Sequence, residues 1–130
     1  MAIDSIGDFL TIIRNGIKVS RRFVVAPHSK MKEKISDILK SEGFIMDFEI
    51  VDEGAKKFLK IKLKYVDGES VIHQITRISS PSRRVYQGAK SLPHVVGKLG
   101  VSIVTTNRGI MTNKQARTLS VGGEVICSVW

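Results

Sequence analysis

The spacing of apolar residues changes period along this chain, and that change restricts the fold more than any other feature. Ile6, Phe9, Leu10, Ile13 and Ile17 recur three and four apart, which puts them on one face of a helix. Met31, Ile35, Ile38 and Leu39 repeat the pattern, with Ser29 placed as an N-cap and Gly43 placed to end the helix. The period then becomes two. Phe44, Met46, Phe48 and Ile50 alternate with Asp47 and Glu49, and Leu59, Ile61, Leu63 and Tyr65 alternate with Lys60, Lys62 and Lys64. Each run predicts a strand with one buried and one wet face. Two amphipathic helices followed by alternating strands predict an α+β fold, in which sheet and helices bury their apolar faces against each other.

Punctuation residues complete the outline. Ser5 and Asp8 stand where a variant capping box would open the first helix. Phe23-Val24-Val25-Ala26 reads as a short strand ended by Pro27. Asp52-Glu53-Gly54 and Asp67-Gly68 read as turns, and Val71 to Ile78 as a further strand. Beyond the polar loop Ser79-Ser80-Pro81-Ser82-Arg83-Arg84 comes a short strand at Val85-Tyr86, and then a stretch punctuated by Gly88, Pro93, Gly97 and Gly100. Val101 to Val104 is a strand, and Thr112 with Gln115 forms a capping box for a short helix through Leu119. Val121 to Trp130 closes the chain, with Gly122-Gly123 marking a bulge or a close backbone approach. The expected organisation is two small, closely docked α/β halves. Residues 1–67 form a two-helix plus three-strand unit, and residues 68–130 a mainly β unit with a short helix.

Composition narrows the function. With 130 residues and 42% hydrophobic side chains, the chain can bury a core, and its mean hydropathy of +0.03 argues against disorder. No apolar run approaches the roughly 20 residues of a membrane span, and the start lacks the pattern of a secretory signal, so a soluble intracellular protein is expected. The single cysteine, Cys127, excludes an internal disulfide and sits in an apolar run that predicts a buried structural thiol. The net charge of +9 favours polyanion partners. From Ser70 to Trp130 there are eight Lys and Arg and one acid, Glu124, which concentrates that preference in the second half.

Catalytic patterns are missing from the sequence. His28, His73 and His94 are scattered, no cysteine pair exists, and no Gly-x-Ser-x-Gly or Walker pattern occurs. Gly97-Lys98-Leu99-Gly100 matches the Gly-x-x-Gly of a KH clamp but runs straight into a strand, which favours a simple turn. No catalytic residue, metal or cofactor is expected.

Three clusters suit RNA. Thr105-Thr106-Asn107-Arg108-Gly109 ends a strand with short donors and acceptors, which can reach base edges and 2′-hydroxyls in the shallow RNA minor groove. The alternative is a polar turn with Asn107 in a left-handed conformation. In Gly122-Gly123-Glu124, two glycines allow close approach, and a lone carboxylate on a basic face can accept from a base amino or ribose hydroxyl; otherwise it pairs with a neighbouring Arg. Arg83-Arg84-Val85-Tyr86 offers guanidinium forks for phosphate and a ring for stacking, unless Tyr86 packs in the core. Arg14 and Lys30 are candidates for further phosphate contacts from the first half.

At these residues the sequence resembles the bacterial-type small ribosomal subunit protein eight family along essentially its whole length. Asp4-Ser5-Ile6-Gly7-Asp8-Phe9-Leu10-Thr11-Ile12-Ile13-Arg14-Asn15 is similar to that family's opening. So are Pro27-His28-Ser29-Lys30-Met31-Lys32, Glu42-Gly43-Phe44-Ile45, and Gly109-Ile110-Met111-Thr112 through Ala116-Arg117 to Gly122-Gly123-Glu124-Val125-Ile126-Cys127. The resemblance implies a primary binder of the central domain of small-subunit ribosomal RNA, acting early in platform assembly in the cytoplasmic ribosome. It implies small-subunit proteins five and twelve as neighbours and, in some bacteria, repression of the protein's own messenger RNA. Two departures stand out: Thr105-Thr106-Asn107 replaces the family's Ser-Thr-Ser, and Ser80 and Ser82 replace a Lys and a Gly before Arg83.

Overall fold

The computed structural model describes residues 4–88 and 100–130. Pro93, His94 and Gly97-Lys98-Leu99 lie outside the described residues. Contacts divide the chain into two units, Asp8–His73 and Met1–Gly7 with Gln74–Trp130.

The first unit carries most of α1 (Ser5–Lys18), then β1 (Phe23–Pro27), α2 (Lys30–Ser41), β2 (Ile45–Glu53) and β3 (Lys56–Leu63). Its antiparallel sheet runs β1-β3-β2. Val24, Ala26, Leu59, Ile61 and Leu63 are buried on one face, and Phe9, Leu10, Ile13, Ile35 and Leu39 from the helices are buried as well. Gly16 is needed inside α1, because a Cβ there would meet Val24 and Leu63. Ser29 caps α2 by accepting from Lys32 N–H at 3.2 Å. Gly43, at φ 81°, ends the helix while Phe44 N–H reaches back to the Leu39 carbonyl at 2.8 Å, a Schellman arrangement.

Two sequence expectations shift here. Met46 and Ile50 are exposed, not buried: the β2 register slips between Ile45 and Asp47, so Ile45 takes the core position instead of Met46, while Ile50 keeps the face of buried Leu59 but lies on the edge strand. Val71 to Ile78 is not one strand: β4 (Tyr65–Val66) and β5 (Glu69–Ser70) form a small hairpin whose turn is Asp67-Gly68, and β6 (Ile75–Arg77) joins the second unit.

The second unit contains β6, β7 (Tyr86–Gln87), β8 (Val101–Thr106), β9 (Gly109–Thr112), α3 (Asn113–Thr118) and β10 (Gly123–Val129). β10 pairs with β8 on one side and with β6 and β7 on the other, and β9 lies outside β8. All pairings are antiparallel. Val104, Met111, Ala116 and Val125 form a core against which Ile78 and Val121 pack. The capping box at Thr112 and Gln115 is complete, with bonds of 3.2 and 3.0 Å.

The first helix is capped one residue earlier than the sequence indicates. Asp4 Oδ1 accepts from Gly7 N–H at 3.0 Å, and the same carboxyl accepts from the Arg77 guanidinium at 3.3 Å. Burial disfavours the Asp4 carboxylate, but Gly7 N–H and Arg77 outweigh that and hold its pKa below the ordinary value of 3.8. Arg77 also donates to the Ile126 carbonyl at 3.0 Å. That carbonyl lies where β10 bulges, between Val125 and Cys127. The bulge therefore falls after Gly122-Gly123 rather than on them. Cys127 is fully buried, and burial pushes its thiol up to about 12, with Arg77 acting weakly in the other direction.

Candidate nucleic-acid interface

Sheet register in the second unit gathers residues from distant parts of the sequence. Tyr86, Glu124, Thr105 and Ile110 form one cross-strand row through β7, β10, β8 and β9. Gln87, Gly123, Thr106 and Gly109 form the next. Opposed residues on neighbouring strands lie roughly 4.5–5.5 Å apart, so three clusters separate in sequence become one surface.

The glycines make this row tight. A Cβ on Gly123 would fall on the Thr105 carbonyl, and one on Gly122 would come within 2.5 Å of the Gln87 carbonyl. Both glycines thus serve close approach between the protein's own strands, the second of the two readings the sequence allowed.

Glu124 pairs with Arg84, whose Nη1 donates to Oε2 at 3.0 Å. The Glu124 side chain is 13% exposed and that of Arg84 51%. Glu124 raises the Arg84 pKa above its ordinary value through the hydrogen bond and the charge. Tyr86 is 67% exposed, so it is not a core residue. Arg83 is exposed in a tight turn where its N–H and carbonyl bond the Ser80 carbonyl and N–H at 3.1 and 2.8 Å. Buried Ser79 anchors this loop, accepting from Val85 N–H at 2.8 Å and donating to the Val85 carbonyl at 3.3 Å.

The three side chains at the end of β8 differ. Thr105 Oγ1 is buried and has no hydrogen-bond partner among the described residues. Thr106 Oγ1 accepts from Arg108 N–H at 3.0 Å and donates to the Gly109 carbonyl at 2.9 Å, so it holds the hairpin turn. Asn107 and Arg108 form the exposed tip. The positive φ of the turn falls on Gly109, at 110°, and not on Asn107. Arg108 is a cation that the sequence clusters contained without singling out; its place beside Asn107 in the turn was the available signal.

Arg14 and Lys30 are exposed in the other unit, on α1 and at the first position of α2. Lys32 is buried instead, with Nζ donating to the Pro27 carbonyl at 3.1 Å. Burial lowers its pKa, opposed by Asp8. The described residues hold no cluster of acids, His and Cys suited to a metal. No helix among them is long and apolar enough to cross a membrane.

Fold and surface define a small basic α+β protein with glycines, an exposed ring, guanidinium groups and a positioned carboxylate on one sheet end. Comparison with known proteins agrees. A family model described as ribosomal protein S8 matches residues 4–130. Small ribosomal subunit protein uS8 of Thermodesulfovibrio yellowstonii is 50% identical over 131 residues, covering 100% of both chains. The uS8 protein of Caldicellulosiruptor bescii is 50% identical over 98% of each chain. Protein uS8c of Phaeodactylum tricornutum is 48% identical over 100% of each. The chain belongs to the ribosomal protein S8 family.

Proposed function

We propose that this chain is a structural constituent of the small ribosomal subunit that binds the central domain of its ribosomal RNA and aids assembly of the platform. The observation that carries the reading is the convergence of Tyr86, Glu124, Thr105, Thr106 and the two glycines on one sheet end of a chain with net charge +9.

The geometry supports a division of labour. Asn107 presents an amide that donates and accepts, at an exposed hairpin tip suited to a wide, shallow minor groove. Thr106 shapes that tip through its bonds within the turn. Thr105, Gly122 and Gly123 supply close-packed backbone and little side-chain bulk. Glu124, held by Arg84, is an acceptor for a base amino or ribose hydroxyl, and the same Arg84 partly neutralises it against phosphate repulsion. Tyr86 offers a stacking face, and Arg83, Arg84, Arg14 and Lys30 are phosphate contacts. Residues 68–130 would carry the main RNA surface and residues 1–67 secondary contacts. Small-subunit proteins five and twelve are the proposed neighbours, and repression of the chain's own messenger would use the same surface on a similar RNA.

Competition between a bulged hairpin from the central domain, single-stranded RNA and duplex DNA tests the reading. The bulged hairpin should bind tightest; equal affinity for duplex DNA would contradict it.

A further inference from the structure

Among the described residues most sheet edges are blunted. β1 is five residues ending in Pro27, β6 has three, β7 two and β9 four. Short strands and proline are the usual protection of an edge against pairing with another chain. β2 is different. It runs nine residues, Ile45–Glu53, at the edge of the β1-β3-β2 sheet, with no proline and no lysine. Its start is bulged at Met46, where Asp47 Oδ1 accepts from Phe48 N–H at 2.8 Å and pairs with Lys40 at 3.0 Å, and the strand from Glu49 onward is regular.

Its side chains are sorted by face. Asp47, Glu49 and Glu53 share the outer face with Lys62, Lys60 and Lys56 directly opposite on β3. Phe48 and Ile50 point the other way, in line with buried Ile61 and Leu59, yet Ile50 stays 43% exposed. Asp52, opposite Lys57, lies on the face of Phe48 and Ile50, and Val51, opposite Phe58, lies on the face of the other acids. An acidic edge strand on a chain of net charge +9 repels nucleic acid. A strand added outside β2 would meet the row Asp47, Glu49, Val51 and Glu53 on one face, mostly acidic, and the row Phe48, Ile50 and Asp52 on the other, mostly apolar. Cations on that strand would continue the alternation Lys, acid, cation across the sheet, and anions would stand opposite like charges.

We propose that the free edge of β2 is a strand-addition site for an extended segment of a neighbouring small-subunit protein that alternates Lys or Arg with apolar residues. This rests on the ribosomal reading above but uses a different surface from the RNA face.

The test places photoreactive benzoylphenylalanine at Ile50 and purifies small subunits that have incorporated the chain. A cross-link to a Lys/Arg-rich segment of a ribosomal protein, lost when Glu49→Gln and Glu53→Gln are added, is expected. Cross-links to RNA alone, no cross-link, or a protein cross-link indifferent to those substitutions would overturn the proposal and leave the RNA reading standing. Failure of the unsubstituted chain to enter subunits would overturn that reading, and this inference with it.

Discussion

Thr105 buries a hydroxyl that bonds nothing among the described residues, while its neighbour Thr106 uses both donor and acceptor inside the turn. A buried hydroxyl without a partner costs roughly 1–3 kcal/mol. Thr105→Val keeps the shape and removes that cost, so the melting temperature should hold or rise, by the equivalent of about 1 kcal/mol. Differential scanning calorimetry checks this, and a clear drop would mean the hydroxyl has a partner. Asp4 gives a pH-dependent counterpart. Its folded-state pKa lies below 3.8, so its contribution is present above that value and lost as pH falls through the depressed one. Asp4→Asn preserves the cap but removes the negative charge that faces Arg77. It should cost about 1 kcal/mol at neutral pH, and the difference should vanish in acid, as read by urea unfolding across pH. The sequence could not show this pair, because the partners stand 73 positions apart.

At the scale of elements, strands carry the most exposed dependence on glycine. Gly123→Ala would drive a methyl into the Thr105 carbonyl and force β10 from β8, at a cost of roughly 1–3 kcal/mol. Chemical denaturation should show this loss, and a neutral result would mean the two strands can separate freely. Elements with local causes were legible: Ser29, Gly43 and the Thr112–Gln115 box act through bonds a few residues long. The burial at the start of β2 was not, because one bulge residue puts Ile45 rather than Met46 toward the core. Likewise the sequence located a tight approach at Gly122-Gly123 but not its partners, which are backbone atoms of Gln87 and Thr105 on other strands.

For the whole molecule, charge distribution and sheet register belong together. The acids sit mainly before residue 70, and from Ser70 onward Glu124 is the single acidic side chain among eight Lys and Arg. Glu124→Ala should weaken binding of the central-domain hairpin by about 1–3 kcal/mol and narrow its margin over other RNAs. Lys30→Ala should weaken all RNAs alike and flatten the salt dependence by about one unit, as a phosphate contact does. Titrations at several salt concentrations distinguish the two profiles, and identical profiles would contradict the separate roles. Clusters a few residues long were readable as candidates for RNA contact; their assembly into one sheet end needed the register of β7, β10 and β8. Amide chemical-shift mapping of the purified chain with a central-domain ribosomal RNA hairpin tests that assembly most directly. Shifts concentrated at Tyr86–Gln87, 105–109 and 122–124 are predicted; shifts confined to residues 8–73 would contradict the account.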